Sequence, residues 1–337
     1  MKIDGAMLVQ NPADAAAAAL RLEELGYHGG YTFEGPHDPF LPLAVAAGAT
    51  SRLELATAIA IAFARNPMLL ANLGYDLQLL SEGRFILGLG SQIRPHIQKR
   101  FSMPWSRPAA RMRDLVLAIR AIWRAWQEGE KLDYRGEFYS HTLMTPVFNP
   151  GPNPHGLPPI FVAGVGPKMT EVVGEVADGY FVHPFHTQRF LRETTVPALE
   201  RGLAKSGRLR DSLQVACQVI VAVGETDEEL DRSKNAARAH ISFYGSTPAY
   251  RPVLESIGRG DVQDELNTLS KKGGWLEMAG LIDDEILERI AVIGRPGEIA
   301  NAVRARYAGF ADRIALISQT ALEPESWIDV VRALRED

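Results

Sequence analysis

The chain has 337 residues, 46% of them hydrophobic, enough to bury a sizeable core as one large domain or two medium ones and to exclude extensive disorder. A net charge of −5, with acidic and basic residues interspersed, argues against a nucleic-acid groove or a polybasic membrane surface. The expected partners are a small-molecule substrate and further copies of the chain, with a homodimer as the expected assembly.

The one cysteine, Cys217, can form neither an internal disulfide nor a cysteine metal cluster. Met1-Lys2-Ile3-Asp4 carries no signal-peptide pattern, and no apolar run approaches the roughly 20 residues of a membrane helix. A cytoplasmic location is expected.

Strand-like and helix-like segments alternate from the start. Lys2 to Val9 reads as a strand, Ala13 to Leu25 as an alanine-rich helix stopped by Gly26, Gly29 to Phe33 as a strand, and Phe40 to Ala49 as a helix. Leu53 to Ile61 is the third strand and Pro67 to Leu80 the third helix. Ser81 to Gln92 then compresses three signals. Gly83 suits the left-handed end of a helix, Phe85 to Leu89 is an apolar strand covered on both faces, and Gly90-Ser91-Gln92 is its polar end. Arg107 to Trp126 spaces Met112, Leu115, Val116, Ile119, Ile122, Trp123 and Trp126 as a helix resting on a core.

Leu132 to Tyr139 reads as a small hairpin turning at Gly136, and the run from Pro146 to Pro159 as a loop. Alternation resumes with strands at Ile160 to Ala163, Gly179 to His183 and Leu213 to Val223. Helices are expected at Pro167 to Val176, Phe190 to Lys205 and Glu225 to Tyr244. Gly245 to Leu281 breaks the pattern as a Gly/Ser/Pro-rich insertion, a candidate lid or dimer contact. Pro296 to Tyr307, Arg313 to Ile317 and Glu325 to Leu334 close the chain as helix, strand and helix. Eight strands separated by helices favour an α/β fold of the (β/α)8 TIM-barrel type, in a single domain, over an open doubly wound sheet.

In such a barrel ligands gather beyond the C-terminal ends of the strands. Ala163-Gly164-Val165-Gly166-Pro167-Lys168-Met169-Thr170 is a strand ending in a two-glycine turn, with Pro167 suited to the first helical position. Its free amides suit a phosphate, with Lys168 as an added cation; a tight turn and no more is the other reading. Glu34-Gly35-Pro36-His37-Asp38 puts a carboxylate and an imidazole on a proline-stiffened turn. His37 is the first candidate acid or base, beside Glu34. Alternatively, Asp38 caps the next helix and His37 bonds only to backbone. Ser91, Gln92, His96 and Arg100 extend the fourth strand, and His183 and His186 follow the sixth. No His-Glu-x-x-His motif or carboxylate cluster accompanies these histidines, so no metal is expected.

Ser81-Glu82-Gly83-Arg84 with Leu87-Gly88-Leu89-Gly90, Ala56-Thr57-Ala58-Ile59, Arg65-Asn66-Pro67, Pro159-Ile160-Phe161-Val162-Ala163-Gly164 and Ala177-Asp178-Gly179 resemble the luciferase-like monooxygenase superfamily of flavin and deazaflavin barrels. The Gln92-to-Trp105 segment, His183-Pro184-Phe185 and Phe243 to Tyr250 resemble its actinobacterial subgroup assigned to coenzyme F420. The resemblance implies an F420-dependent oxidoreductase exchanging hydride with a small organic molecule, helped by proton transfer from His37, Glu34 or His96. It implies that Gly164, Val165, Gly166, Pro167, Lys168 and Met169 hold the cofactor phosphate, and that Ala58 and Ile59, joined by a non-proline cis bond, support the ring. Ser91, Gln92 and His183 are expected to meet the cofactor as well. The alternatives are an FMN-dependent monooxygenase on the same barrel, or a barrel that binds its chromophore without catalysis. A phosphate-ligand aldolase or isomerase would place a lysine or a carboxylate pair at strand ends, and no convincing lysine is found inside a strand.

Overall fold

The computed structural model describes residues 1–320 and 324–335. Among the described residues ten parallel strands form one sheet: β1 (Lys2–Ala6), β2 (Gly29–Thr32), β3 (Glu54–Thr57), β4 (Phe85–Gly90), β5 (Ile160–Gly164), β6 (Gly179–Val182), β7 (Gln214–Val223), β8 (Val292–Gly294), β9 (Arg313–Ile317) and the two-residue Ala60–Ile61. All but β8 and Ala60–Ile61 pair in chain order, and β9 pairs back onto β1, which closes an eight-stranded barrel. The strands are short apolar runs because both faces are covered: all six residues of β4 and all four of β6 are buried.

Helices α1 (Ala15–Glu24), α2 (Phe40–Ala49), α3 (Pro67–Leu80), α4 (Pro108–Gln127), α5 (Pro167–Val176), α6 (Val196–Ser206) and α7 (Asp227–Gly245) follow the first seven strands of the ring. Their starts are written locally. The Asn66 side chain accepts from the Leu69 amide with Pro67 in the first turn, and Thr226 and Glu229 form a reciprocal capping box before α7. The main core lies between ring and helices. Trp123 and Trp126 are buried in it, with the Trp123 indole donating to the Ala71 carbonyl at 3.0 Å. No helix among the described residues is long and apolar enough to cross a membrane.

The barrel interior is filled in layers. At the N-terminal end the Arg313 guanidinium donates to both Asp4 oxygens at 2.8 and 2.6 Å and pairs with Glu54, which also holds Lys2 at 2.6 Å. Above this ionic plug Tyr31, Ala56, Ile86, Phe161, Phe181, Ala216 and Ala315 form an apolar layer with one residue from nearly every strand. The gap left there is about 10 Å³, room for one water. Inside the ring, any larger ligand must sit above the layer, at the C-terminal mouth.

Three features differ from the sequence reading. The third strand is not continuous to Ile61: it stops at Thr57, and Ala60–Ile61 pairs separately with β4. A strand at Val292–Gly294, absent from the reading, pairs with Val221 to Val223 at the far end of β7. The 245–281 segment, read as a Gly/Ser/Pro-rich break, is mainly helical, with α8 (Arg251–Glu255), α9 (Gly260–Lys272) and α10 (Trp275–Gly280).

Its glycines stop helices instead of loosening them. Gly258 and Gly273 sit at φ +76° and +74°, the conformation in which a helix end needs glycine. Val253, Leu254, Val262, Leu266 and Met278 form a second core with Ile220, Ala222, Ala237 and Ile241 of β7 and α7. The chain continues through α11 (Asp284–Ile290), α12 (Pro296–Tyr307) and α13 (Pro324–Arg335).

Candidate active site

His37, Ser91, Gly164 and His183 all follow the C-terminal ends of ring strands, so the parallel barrel gathers them at one pole. The β2 and β3 sides are clamped together. Glu34 Oε2 accepts from Arg65 Nη1 at 2.5 Å and from the Ile61 amide at 2.7 Å, while Arg65 Nη2 donates to Asp38 at 2.9 Å. Asp38 Oδ1 also accepts from the Phe40 amide at 2.8 Å, capping α2. Glu34 is thus already occupied by a cation and a backbone donor. His37, between these two carboxylates in sequence, is exposed on the turn.

Beside this clamp the chain turns through the cis Ala58–Ile59 peptide at the expected bond. Glu34 N–H donates to the Ile59 carbonyl at 3.0 Å, and Ala58 N–H to the Thr32 carbonyl at 2.6 Å. Thr57 bridges the interrupted ladder to β4. Its hydroxyl donates to the Gly88 carbonyl at 2.7 Å and accepts the Gly88 amide at 2.9 Å. Only glycine fits at 88, because a Cβ there would lie 1.7 Å from the Thr57 carbonyl oxygen.

After β4, Ser91 Oγ donates to the Gln92 carbonyl at 3.1 Å, and Gln92, at φ +58°, accepts the Ile93 amide. His96 to Arg100 make one wide turn. His96 is exposed, and Arg100 reaches back to the Gly35 carbonyl at 2.7 Å, so the two do not act on a shared face. Among the described residues Arg94, Lys99, Arg100 and Lys168 form no ion pair with a carboxylate.

The turn after β5 ends at Gly166, which caps α5 without a side-chain bond, and Pro167 follows in the first turn. Among the described residues no protein group accepts from the amides of Gly166 and Lys168. A Cβ on Gly166 would meet nothing within 4 Å, so the turn is open on the side where a side chain would project. Gly164, with Val165 beside it, is held from behind: its carbonyl accepts from Tyr180 Oη at 2.6 Å, and Met169 packs where a Cβ would stand. An uncapped helix N-terminus at an open turn fits a phosphate group.

The far wall was only partly foreseen. His183 packs against the rings of Tyr244 and Tyr250, with centroids 4.7 and 4.6 Å away, and His240 meets Tyr244 at 4.5 Å with the rings tilted by 40°. His183 Nδ1 accepts the Phe185 amide at 3.1 Å, which leaves the proton of the neutral ring on Nε2. Burial, then His186 and His240, pushes the His183 pKa down to about 3. Burial likewise holds His186 and His240 at about 4 and raises Tyr244 and Tyr250 to about 12, so this wall is uncharged at neutral pH.

Arg65, Thr57, His240, Tyr244 and Tyr250 were not among the expected site residues. Arg65 stood in the Arg65-Asn66-Pro67 motif, Tyr244 ended the helix before the insertion, and Tyr250 lay in the insertion read as a candidate lid or dimer contact. Among the described residues no group of three or more His, Cys, Asp or Glu side chains is arranged to hold a metal ion.

A closed ring of eight parallel strands with helices between them places the protein among the α/β barrels, whose ligand sites lie at the C-terminal mouth. The luciferase-like monooxygenase family matches residues 2–313, and the chain belongs to it. An uncharacterized protein of Mycobacterium tuberculosis H37Rv is 57% identical over 95% of this chain and 94% of its own. The 5,10-methylenetetrahydromethanopterin reductase of Archaeoglobus fulgidus is 28% identical over 77% of this chain and 75% of its own. The coenzyme F420 dependent tetrahydromethanopterin reductase structure from Methanopyrus kandleri shares the fold with a TM-score of 0.78. It covers 98% of this chain and 97% of that one at 17% identity.

Proposed function

We propose that the protein is a cytoplasmic F420-dependent oxidoreductase that passes hydride between this cofactor and a small organic substrate. The observation that carries the reading is the anion-ready rim along β4 and β5, where the amides of Gly166 and Lys168 have no protein acceptor beside the unpaired Arg94, Lys99, Arg100 and Lys168. F420 brings a phosphodiester and a string of glutamate carboxylates, and FMN a single phosphate. Several cations in the segments after β4 and β5 suit the more highly charged anion. When bound, F420 supplies a carbon that gives or takes a hydride, so the protein must orient one ring face and exclude water.

Ala58 and Ile59 would lie against the ring, Ser91 and Gln92 at its edge, and Gly164 to Met169 around the phosphate. His37 is exposed on its turn and is our choice for the proton that accompanies the hydride, with His96 the second candidate. Glu34, engaged by Arg65, positions that turn. A homodimer is the proposed assembly. Leu41 and Leu69 on the neighbouring α2 and α3 support it, at 59% and 52% exposed, and a monomer by light scattering at working concentration rejects it.

Separate titrations of the purified protein with F420 and with FMN test the cofactor. F420 binding at micromolar concentration with FMN at least tenfold weaker is expected. Tight FMN binding without F420 binding overturns the assignment in favour of an FMN-dependent monooxygenase. Binding of F420 with no turnover of any acceptor would leave a non-catalytic barrel.

A further inference from the structure

The wall formed by His183, Tyr244 and Tyr250 is chemically unlike the rest of the mouth. Three aromatic rings present polar tips: the Nε2–H of His183 and the hydroxyls of Tyr244 and Tyr250. None has a hydrogen-bond partner among the described residues, and none is sealed from solvent. Each can donate to an incoming oxygen.

Charge is absent around them. The groups that act electrostatically on His183 are His186 and His240, and the one that acts on Tyr250 is Tyr244. No lysine, arginine or carboxylate contributes at His183, His240, Tyr244 or Tyr250. Tyr244 also acts electrostatically on the Tyr31 phenol in the barrel's apolar layer. The wall is supplied by β6, α7 and the helical insertion, whereas the cations that form no ion pair follow β4 and β5.

We propose that this wall is the substrate-recognition surface and that it selects an uncharged, flat molecule carrying a carbonyl or similar acceptor oxygen. The inference rests on the oxidoreductase reading, because a carbonyl or conjugated carbonyl is a group to which hydride and proton can be added. Flat rings pack on flat rings, and three neutral donors satisfy an oxygen without a counter-ion. A phosphate or carboxylate placed here would be desolvated with no cation to pair it, which disfavours such substrates.

The test uses 1-indanone, a flat uncharged ketone, and its 5-carboxylate as the charged counterpart. Saturation-transfer NMR follows each on the purified protein, with and without F420. Binding of 1-indanone with its carboxylate at least tenfold weaker is expected. A Tyr244→Phe/Tyr250→Phe double variant keeps both rings and removes both hydroxyls. It should weaken 1-indanone at least fivefold and leave F420 affinity within twofold.

Equal affinity for ketone and carboxylate, no binding of the ketone, or a double variant that binds it unchanged overturns the proposal. Failure of the wild type to bind F420, with the ketone pattern intact, instead overturns the cofactor assignment and leaves the wall's selectivity standing.

Discussion

Arg65 Nη1 lies 2.5 Å from Glu34 Oε2, and this pair fastens the turn that carries His37 to the segment after the cis Ala58–Ile59 bond. Both partners are largely buried, with side-chain exposures of 15% for Arg65 and 7% for Glu34. Removing the cation strands a carboxylate in a low-dielectric site, a loss of about 3 kcal/mol for a buried pair. Arg65→Met should therefore lower the unfolding free energy by about that amount in urea titrations. A loss below about 1 kcal/mol would mean that the Ile61 amide and solvent suffice for Glu34.

His37 is predicted to act on turnover and not on binding. It is exposed and forms no hydrogen bond with other described residues, so truncating it removes no packing. His37→Ala should lower kcat by about 100-fold, the low end of what a positioned acid or base contributes, while F420 affinity stays within a few fold. A variant with full kcat but weakened F420 binding would move His37 from proton transfer to cofactor contact and leave His96 to be tested next.

The histidines of the aromatic wall predict a pH dependence of stability. His183, His186 and His240 have folded pKa values of about 3 to 4, below the ordinary 6.5, so the unfolded chain binds more protons in that interval. Their stabilising contribution is complete above pH 6.5 and is lost as pH falls toward the folded values. Each histidine adds up to about 1.4 kcal/mol per pH unit to the slope. Chemical denaturation between pH 7.5 and 5 should show stability falling with acid. His186→Asn loses its bonds to Tyr307 and the His183 carbonyl at every pH, yet should reduce the slope by one proton. An unchanged slope would mean that His186 takes up its proton in the folded state.

The ring of strands was legible because most of its strands are apolar runs closed by glycine or polar residues, and βα order leaves few topologies. Val292 to Gly294 escaped because Ile290-Ala291-Val292-Ile293 reads equally well as the end of a helix. The helices of 245–281 escaped because Gly258, Gly260, Gly273 and Gly274 look like loop composition when two of them terminate helices. The site was harder to read. Arg65 and Glu34 are 31 positions apart, and His183 meets tyrosines from another element, contacts that only the closed barrel creates. The cis bond was expected from family resemblance alone, since Ala56 to Ala62 by itself reads as an unbroken strand.

Stability and cofactor binding can be separated at the turn after β5. Gly166 is the N-cap of α5, in extended conformation at φ −78° and ψ 150°, and a Cβ there has open space. Aspartate is a preferred N-cap residue, so Gly166→Asp should fold as well as the wild type or gain up to about 1 kcal/mol. The same carboxylate would occupy the amides proposed for phosphate and repel it, so F420 affinity should fall at least tenfold. Gly164→Ala is the contrasting case. Its Cβ would stand 2.5 Å from Met169 Cγ, so Met169 must move and both stability and binding should decline. Differential scanning calorimetry with F420 titration reads the two effects apart. A Gly166→Asp protein that binds F420 as tightly as the wild type would mean that the phosphate is held elsewhere on the mouth.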